Sequence, residues 1–292
     1  MTDTIDRPVE PAEGPEGRPT SRRERTAARM ADTERMRAPF EDAGALVAFT
    51  LRVVKELPAC VRLYPAEVLR QCGLLIRSNA LVILFMLFML GALLGITGTF
   101  LFEGIGLESY VAAISSVPMM RGVVEIVFGW VLAAKYGCGI VAELGAMRIS
   151  EEIDAMDVMG VRSLPYLVGC RVVASLVVLP ALFVAALGIH FVASKLFFVN
   201  LLSSVSDGGF DYVLFLLQSP RDFLVAVLWG TVTGFIVTVV ACYYGYNASG
   251  GPVGVGRATA QGMLVNLVLI SVTAMVMAQI FYANVLAEAF GT

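Results

Sequence analysis

Long apolar stretches alternate with short polar segments over most of this chain. Five of these stretches lie at about residues 79–102, 118–146, 166–192, 222–246 and 262–288. Each is longer than the roughly 20 residues that a helix needs to cross a hydrocarbon core of about 30 Å. The pattern therefore predicts an all-α integral membrane protein with five transmembrane helices.

Three segments outside these spans carry different patterns. Residues 1–38 are polar and rich in Pro, Arg and Glu, a composition that predicts a disordered tail. Residues 39–78 mix apolar and basic positions, which favours an amphipathic helix lying along the membrane surface. Residues 194–222 are amphipathic, and Asp207-Gly208-Gly209 predicts a break at the outer surface. A sixth, re-entrant span at 196–218 is the alternative.

The distribution of basic residues predicts the orientation. The region up to Arg77 holds 13 of the 21 Lys and Arg residues. Cytoplasmic segments carry an excess of basic residues. We therefore expect a multi-pass protein of the plasma (inner) membrane, with a cytoplasmic N-terminus and a cytoplasmic loop between the second and third spans.

Composition agrees with this class and excludes several functions. The chain is 58% hydrophobic and 15% charged, with a mean hydropathy of +0.78, whereas soluble domains are about 25% charged. The five cysteines form no C-x-x-C pair, and we interpret them as small apolar residues. His190 is the only histidine, and its place near the end of a span favours an interfacial side chain. We predict no catalytic residue, no bound metal and no nucleic-acid partner.

The cytoplasmic loop contains an acidic segment, "AELGAMRISEEIDAMDVMGVRSLPY", at residues 142–166. Ser150 is a candidate N-cap of a helix in this loop, and Gly160 is a candidate residue to end that helix. Pro165 suits the first turn of the next span. Helical periodicity places acids on one side and apolar residues on the other. The apolar side contains Ile149, Ile153, Met156, Met159 and Gly160, with Glu152 among them; the acidic side contains Glu151, Asp154, Asp157 and Val158.

Two interpretations of this helix remain open from the residues alone. It is either a solvated loop whose acids face water, or a helix that docks on a partner. Met-rich apolar faces are common where partners bind. The residues by themselves favour neither.

Two blocks of sequence resemble the MlaE/YrbE family of permeases, the membrane subunits of ABC-type lipid transporters that work with MCE-domain proteins. The first block, "AELGAMRISEEIDAMDVMGVRSLPYLVGCRVVA", matches the family signature at almost every position. The second is "YYGYNASGGPVGVGRATAQGMLVN" at residues 243–266, whose form is most similar to the YrbE permeases of actinobacterial Mce systems. The resemblance implies an MlaE-like permease domain over residues 79–292.

The resemblance also implies partners and site residues. The loop helix would be a coupling helix that docks on a cytoplasmic ABC ATPase dimer, through Glu151, Glu152, Asp154, Met156, Asp157 and Met159. A second permease subunit, identical or a paralogue in a heterodimer, and outer MCE-domain tunnel proteins would complete the complex. This chain would bind no cofactor, because ATP and Mg²⁺ belong to the separate ATPase. "GPVGVGRA" at 251–258 lacks the Lys and hydroxyl residue of a phosphate-binding loop, so we interpret it as a flexible inner loop.

The second span departs from the family pattern. The family often has Arg-Glu at its start, whereas this chain has Arg121-Gly122. Glu125 is a possible substitute for the missing acid. Glu125, Lys135 and Glu143 are ionisable residues within the span, where charges are costly. We favour a structural salt bridge for Glu143, with Arg148 as a candidate partner. Small-residue faces in two other spans predict close helix packing; they comprise Gly91, Gly95, Gly98, Gly230 and Gly234.

These observations favour an ATP-driven permease over two other functions. The substrate would be a hydrophobic lipid, fatty-acid-like or sterol-like, with import as the expected direction. Its path would lie in the first and fifth spans, at Leu87, Leu90, Leu94, Met275 and Phe281. An ion-coupled secondary transporter is the alternative, but no internal repeat supports it. A membrane-embedded enzyme is the weakest, because the chain has one histidine and no paired aspartates in its spans.

Overall fold

A computed structural model describes residues 22–103, 111–201 and 206–290, which are helical apart from short turns. We number the α-helices in chain order. A kink at Met119–Val123, where Arg121 and Gly122 have non-helical backbone angles, joins α3 to α4, and π-helical turns lie at Ala133–Gly137, Leu164–Gly169 and Leu196–Leu201. The helices are α1 Arg22–Leu63, α2 Pro65–Glu103, α3 Val111–Pro118, α4 Val124–Leu132, α5 Cys138–Ile149, α6 Glu152–Val158, α7 Cys170–Lys195, α8 Asp207–Leu216, α9 Pro220–Tyr246 and α10 Gly251–Phe290.

Within the ranges that the structure describes, five helical segments are long and apolar enough to cross a membrane, which confirms the predicted fold class. They are Pro65–Phe102, Ala112–Ile149, Leu164–Leu201, Pro220–Tyr246 and Gly251–Tyr282. The second combines α3, α4 and α5, and the third combines α7 with the π-helical turns at its two ends. Each segment begins before the corresponding apolar stretch recognised in the sequence, and the second and third also end after it.

The N-terminal region differs from its prediction. Residues 22–38, assigned above to a disordered tail, lie in α1; residues 1–21 lie outside the described residues. Arg, Glu, Ala and Met dominate this stretch, and all four favour helix without needing a core. Helix α1 ends at Leu63, Tyr64 is not helical, and α2 begins at Pro65. Residues 65–78 therefore continue directly into the first membrane helix. Residues up to Ala48 form one unit, and the helix bundle begins at Phe49.

Two predicted irregular segments are helical instead. Asp207-Gly208-Gly209 forms the first turn of α8, because the Ser206 hydroxyl caps the helix by accepting a hydrogen bond from the backbone N–H of Gly209 at 3.2 Å. Residues 251–258, interpreted as a flexible loop, form the first two turns of α10. The connection between α9 and α10 is therefore only Asn247–Gly250.

Three hydrophobic clusters follow one another along the bundle. The middle cluster joins α2, α4, α7, α9 and α10 and includes an edge contact between Phe128 and Phe183, with ring centroids 5.2 Å apart. The cluster at the α6 end joins α1, α5, α6, α7 and α9. The cluster at the opposite end joins Phe198 of the third span to Phe210 of α8. The bundle therefore has an α6 end and an α8 end, with the middle cluster between them.

Glycines let the first and fourth spans approach the third, as the small-residue faces predicted. A Cβ at Gly91 would overlap the backbone carbonyl of His190, and a Cβ at Gly95 would lie 2.8 Å from the Cβ of Phe197. On α9, a Cβ at Gly230 would lie 2.8 Å from the Phe183 ring, and one at Gly234 would overlap Leu179. Backbone contact of this kind is a common way to pack membrane helices.

Candidate functional site

The connection between α5 and α6 is a sharp turn centred on Glu151. Its φ is 60°, which makes Glu151 the one residue other than glycine with positive φ in the described part of the chain. The predicted N-cap, Ser150, instead belongs to the end of α5, where its hydroxyl donates to the Ala146 carbonyl at 3.0 Å. Left-handed backbone is unfavourable for a side-chain-bearing residue. The rest of the segment therefore holds this turn in place.

One side of α6 is attached to the bundle. Ile153 is fully buried and belongs to the core cluster of the α6 end, and Met156 packs partly against the same cluster. Full burial of an Ile side chain contributes roughly 1.5–3 kcal/mol. The apolar side of α6 thus packs inward, at least up to Met156.

The end of α6 is joined to two membrane helices. The Asp157 carboxylate accepts hydrogen bonds from the backbone N–H and the hydroxyl of Ser163, at 3.0 and 3.1 Å. The Ser163 hydroxyl also lies 2.9 Å from that of Tyr246, at the end of α9. Gly160, with φ of 81°, ends the helix as predicted: Val161 N–H donates to Met156 and Gly160 N–H to Asp157.

The remaining side of α6 faces outward. Val158 is 88% exposed and Met159 is 72% exposed, so two apolar side chains form the tip of the segment. Glu151, Glu152 and Asp154 are also exposed around it. Asp154 pairs with Arg148 of α5 at 2.6 Å, whereas Glu151, Glu152 and Asp157 have no basic partner among the described residues.

The six predicted coupling residues therefore divide into two groups. Glu151, Glu152, Asp154, Asp157 and Met159 are exposed, although the Asp157 carboxylate is engaged with Ser163, whereas Met156 is half-buried. Val158 was not among the predicted coupling residues, although periodicity placed it on the acidic side. An apolar residue among exposed acids is the sequence feature that could have indicated its place at the exposed tip.

The second polar site lies near the α8 end of the bundle. Arg121 pairs with Asp222 of α9 at 3.0 Å and lies over the Tyr282 ring, 5.2 Å from its centroid. Gly122 has a φ of 153°, which glycine adopts readily. Arg121 therefore pairs with a carboxylate from another helix, and Glu125 does not pair with Arg121.

The three ionisable residues of the second span have different surroundings. Glu125 is fully buried, and neither of its carboxyl oxygens has a hydrogen-bond partner among the described residues. Glu143 pairs with the buried Arg171 at 2.7 Å, which confirms a structural salt bridge but corrects the partner from Arg148. Lys135 is exposed within the span.

His190 and the cysteines are packing residues. His190 is fully buried where α7 packs against α2, so the interfacial placement was wrong. The Sγ atoms of Cys60 and Cys170 lie 3.0 Å apart in the core. Burial raises the pKa of the Cys60 thiol, and the hydrogen bond with Cys170 opposes this shift more weakly. No group of His, Cys, Asp and Glu among the described residues could hold a metal.

The five residues of the predicted lipid path do not share one surface of this chain. Leu87 is fully buried in the middle cluster, and Leu90 and Leu94 pack partly against it. Met275 is 69% exposed on α10, and Phe281 is half-buried. The path through these residues stays a prediction.

Comparisons with known proteins agree with this architecture. A family model described as "Permease MlaE" matches residues 68–280. A "Probable ABC transporter permease protein" of Rickettsia bellii is 28% identical over 201 residues, 67% of this chain and 75% of the relative. Its counterpart in Rickettsia prowazekii is 26% identical over 226 residues, 75% of this chain and 85% of the relative. "Protein TRIGALACTOSYLDIACYLGLYCEROL 1, chloroplastic" of Arabidopsis thaliana is 27% identical over 188 residues, 62% of this chain and 51% of the relative.

Proposed function

The chain belongs to the MlaE permease family, and we propose that it is the permease subunit of an ATP-driven lipid transporter of the Mce type. It would contain no ATPase site of its own. A cytoplasmic ABC ATPase dimer would bind ATP and Mg²⁺ and would dock on α6. Relatives named as ABC transporter permeases support this division of labour.

The observation that carries the proposal is the construction of α6. Ile153 is buried on one side of this helix, and Val158 and Met159 are exposed at its tip. The helix would therefore connect the bundle to an ATPase bound at the tip. Hydrogen bonds through Asp157 and Ser163 couple it to the third and fourth spans. Movement imposed on the tip would therefore reach the membrane helices. An apolar tip surrounded by acids suits an apolar groove with a basic rim.

A lipid substrate is consistent with the surfaces of the first and fifth spans. Leu93 on α2 and Met275 on α10 belong to wide apolar faces that this chain leaves uncovered. A hydrophilic solute would find few polar groups there. A relative whose name contains the glycolipid trigalactosyldiacylglycerol supports lipid transport. Within the proposal, fatty-acid-like or sterol-like lipids are imported through a cavity between this chain and a second permease subunit, which meets a tunnel of MCE-domain proteins on the outer side.

The decisive test measures ATPase binding after changing only the exposed tip. The variant Val158→Glu/Met159→Glu places charge on two residues that make no core contact. If the tip occupies an apolar groove, loss of such anchors costs about 2 kcal/mol or more. We therefore expect the amount of co-purified ATPase to fall at least tenfold in a pull-down of the full chain from solubilised membranes.

Two controls make this result specific. Tyr212→Glu changes a similarly exposed side chain on α8, at the other end of the bundle, and should leave ATPase binding unchanged. Size-exclusion chromatography checks that each variant remains folded. Equal ATPase recovery with the tip variant and the wild type would reject α6 as the docking site, and absence of any ATPase would favour an ion-coupled secondary transporter.

A further inference from the structure

A polar cleft opens between the first three spans, in the half of the bundle that carries α6. Its volume is about 190 Å³. Ser78 and Asn79 of α2, Lys135 and Glu143 of the second span, and Arg171 of α7 contribute its polar side chains. None of these residues belongs to the α6 tip or to the ion pair at the α8 end, so the cleft is a separate feature.

The cleft carries one positive charge that this chain does not balance. Arg171 is only 3% exposed and pairs with Glu143, so these two charges neutralise each other. Lys135 lines the same cleft and forms no hydrogen bond or ion pair with any residue in the described ranges. An anion in the cleft would therefore meet an unpaired ammonium group with a buried guanidinium behind it.

The position of Lys135 makes the missing partner significant. It lies within the apolar second span, Ala112–Ile149, and lines the cleft beside the ion pair of Glu143 and Arg171. A cation there is costly unless it reaches an anion or the interface. Lys135 is also the central residue of the π-helical turn Ala133–Gly137, and such turns are frequent at functional sites.

An apolar stripe leads away from the cleft along α2. Leu74 and Ser78 line the cleft, and Leu81 and Phe85 follow on the same face at helical spacing. Leu81 is 80% exposed and Phe85 is 52% exposed. A lipid with its headgroup beside Lys135 could therefore place an acyl chain over this stripe. An inorganic anion has no apolar part that could contact the stripe.

We propose that the cleft binds the phosphate group of a phospholipid from the leaflet at the α6 end. Lys135 donates hydrogen bonds to the phosphate oxygens, and Arg171, oriented by Glu143, adds positive potential. The acyl chains lie along Leu81 and Phe85. This site is distinct from the proposed transport path and does not depend on ATPase docking.

Native mass spectrometry of the full chain in detergent tests the proposal with three probes. These are phosphatidylglycerol, diacylglycerol, which lacks the phosphate, and inorganic phosphate. We expect one retained phosphatidylglycerol per chain and much weaker retention of diacylglycerol. Lys135→Gln should weaken phosphatidylglycerol binding about tenfold, and Lys135→Arg should restore most of it. Arg221→Gln, which removes an exposed cation outside the cleft, should have no effect.

A further variant identifies the source of the phosphate. Leu81→Ser should weaken binding of the phospholipid but not of inorganic phosphate if the ligand is a lipid. Displacement of phosphatidylglycerol by an equal concentration of inorganic phosphate would instead identify a site for the free anion. Unchanged lipid binding in Lys135→Gln, or equal binding of diacylglycerol, would overturn the proposal. Lys135 is exposed, so its variants should retain the elution volume of the wild type.

Discussion

The second, third and fourth spans and the first and fifth spans have similar apolar sequences but different surroundings. At least half of the most apolar window is buried within the chain for each of the middle three, against 28% for the first and 17% for the fifth. The middle spans form the core of the protein, whereas the outer two present most of their surface to lipid or to other subunits. Hydropathy identifies both groups as membrane helices but does not distinguish them.

The largest expected effect is at a glycine between two middle spans. Gly234→Leu on α9 would place a side chain where Leu179 of α7 already lies. Overpacking of this kind costs about 3 kcal/mol or more, because neither backbone can move away. We expect loss of most folded protein in detergent, measured by thermal unfolding monitored with size-exclusion chromatography.

The control for this prediction is a glycine on the same α7–α9 pair that faces outward. Gly188 has no atom within 4 Å of the position that a Cβ would occupy. Gly188→Leu should leave the midpoint temperature of thermal unfolding unchanged or raise it slightly, because Gly is a poor helix former. Equal destabilisation by both variants would contradict the packing of α7 against α9.

The next effect concerns the buried side of α6. Ile153→Ala removes a fully buried side chain and should cost about 2.5 kcal/mol. The loss should be local, so hydrogen exchange of the α6 amides should accelerate more than that of α9. Val158→Ala, at an exposed position, should leave exchange unchanged. If both variants behave alike, α6 is not anchored by Ile153.

A smaller loss of stability is expected when the ion pair between Arg121, which precedes α4, and Asp222 of α9 is broken. Arg121→Gln leaves Asp222 buried without its basic partner and should cost about 2 kcal/mol, less than a fully buried pair because Arg121 is partly exposed. The double variant Arg121→Gln/Asp222→Asn should recover part of the loss, as measured by unfolding midpoints in a double-mutant cycle. Additive losses would show that the two side chains do not interact.

The smallest effect should occur on the fifth span. Met275→Ala removes an exposed side chain and should change the stability of the isolated chain by less than about 0.5 kcal/mol. A lipid-transport assay with the complete complex should be more sensitive, if Met275 lines the proposed path. A large loss of stability in the isolated chain would contradict the exposed position of this face.

Features that depend on neighbouring residues were predictable from the sequence. Five spans, the helix between the second and third spans, its end at Gly160 and the start of the third span near Pro165 all agree with the structure. Gly91, Gly95, Gly230 and Gly234 lie at close helix contacts, as their spacing indicated. Three local predictions were wrong, because Ser206 caps a helix at Asp207, because Ser150 ends α5 rather than starting α6, and because residues 251–258 belong to α10.

Pairings between distant residues were not predictable. Arg121 and Asp222 are 101 residues apart, and Ser163 and Tyr246 are 83 residues apart. Periodicity states which residues share a face of a helix but not what that face meets. Asp157 and Asp154 therefore looked equivalent, although Asp157 accepts hydrogen bonds from Ser163 and Asp154 pairs with Arg148.

The sequence by itself determined that this chain crosses a membrane with five helices and that an acidic helix connects the second and third. Length, hydropathy and helical period are local properties, and they suffice for those statements. Only the tertiary structure decided which acids stay accessible, that Val158 and Met159 form the exposed tip, and that Lys135 lies unpaired beside Arg171. Each of these depends on which helices pack together, and many apolar helices of similar composition could pack in many ways.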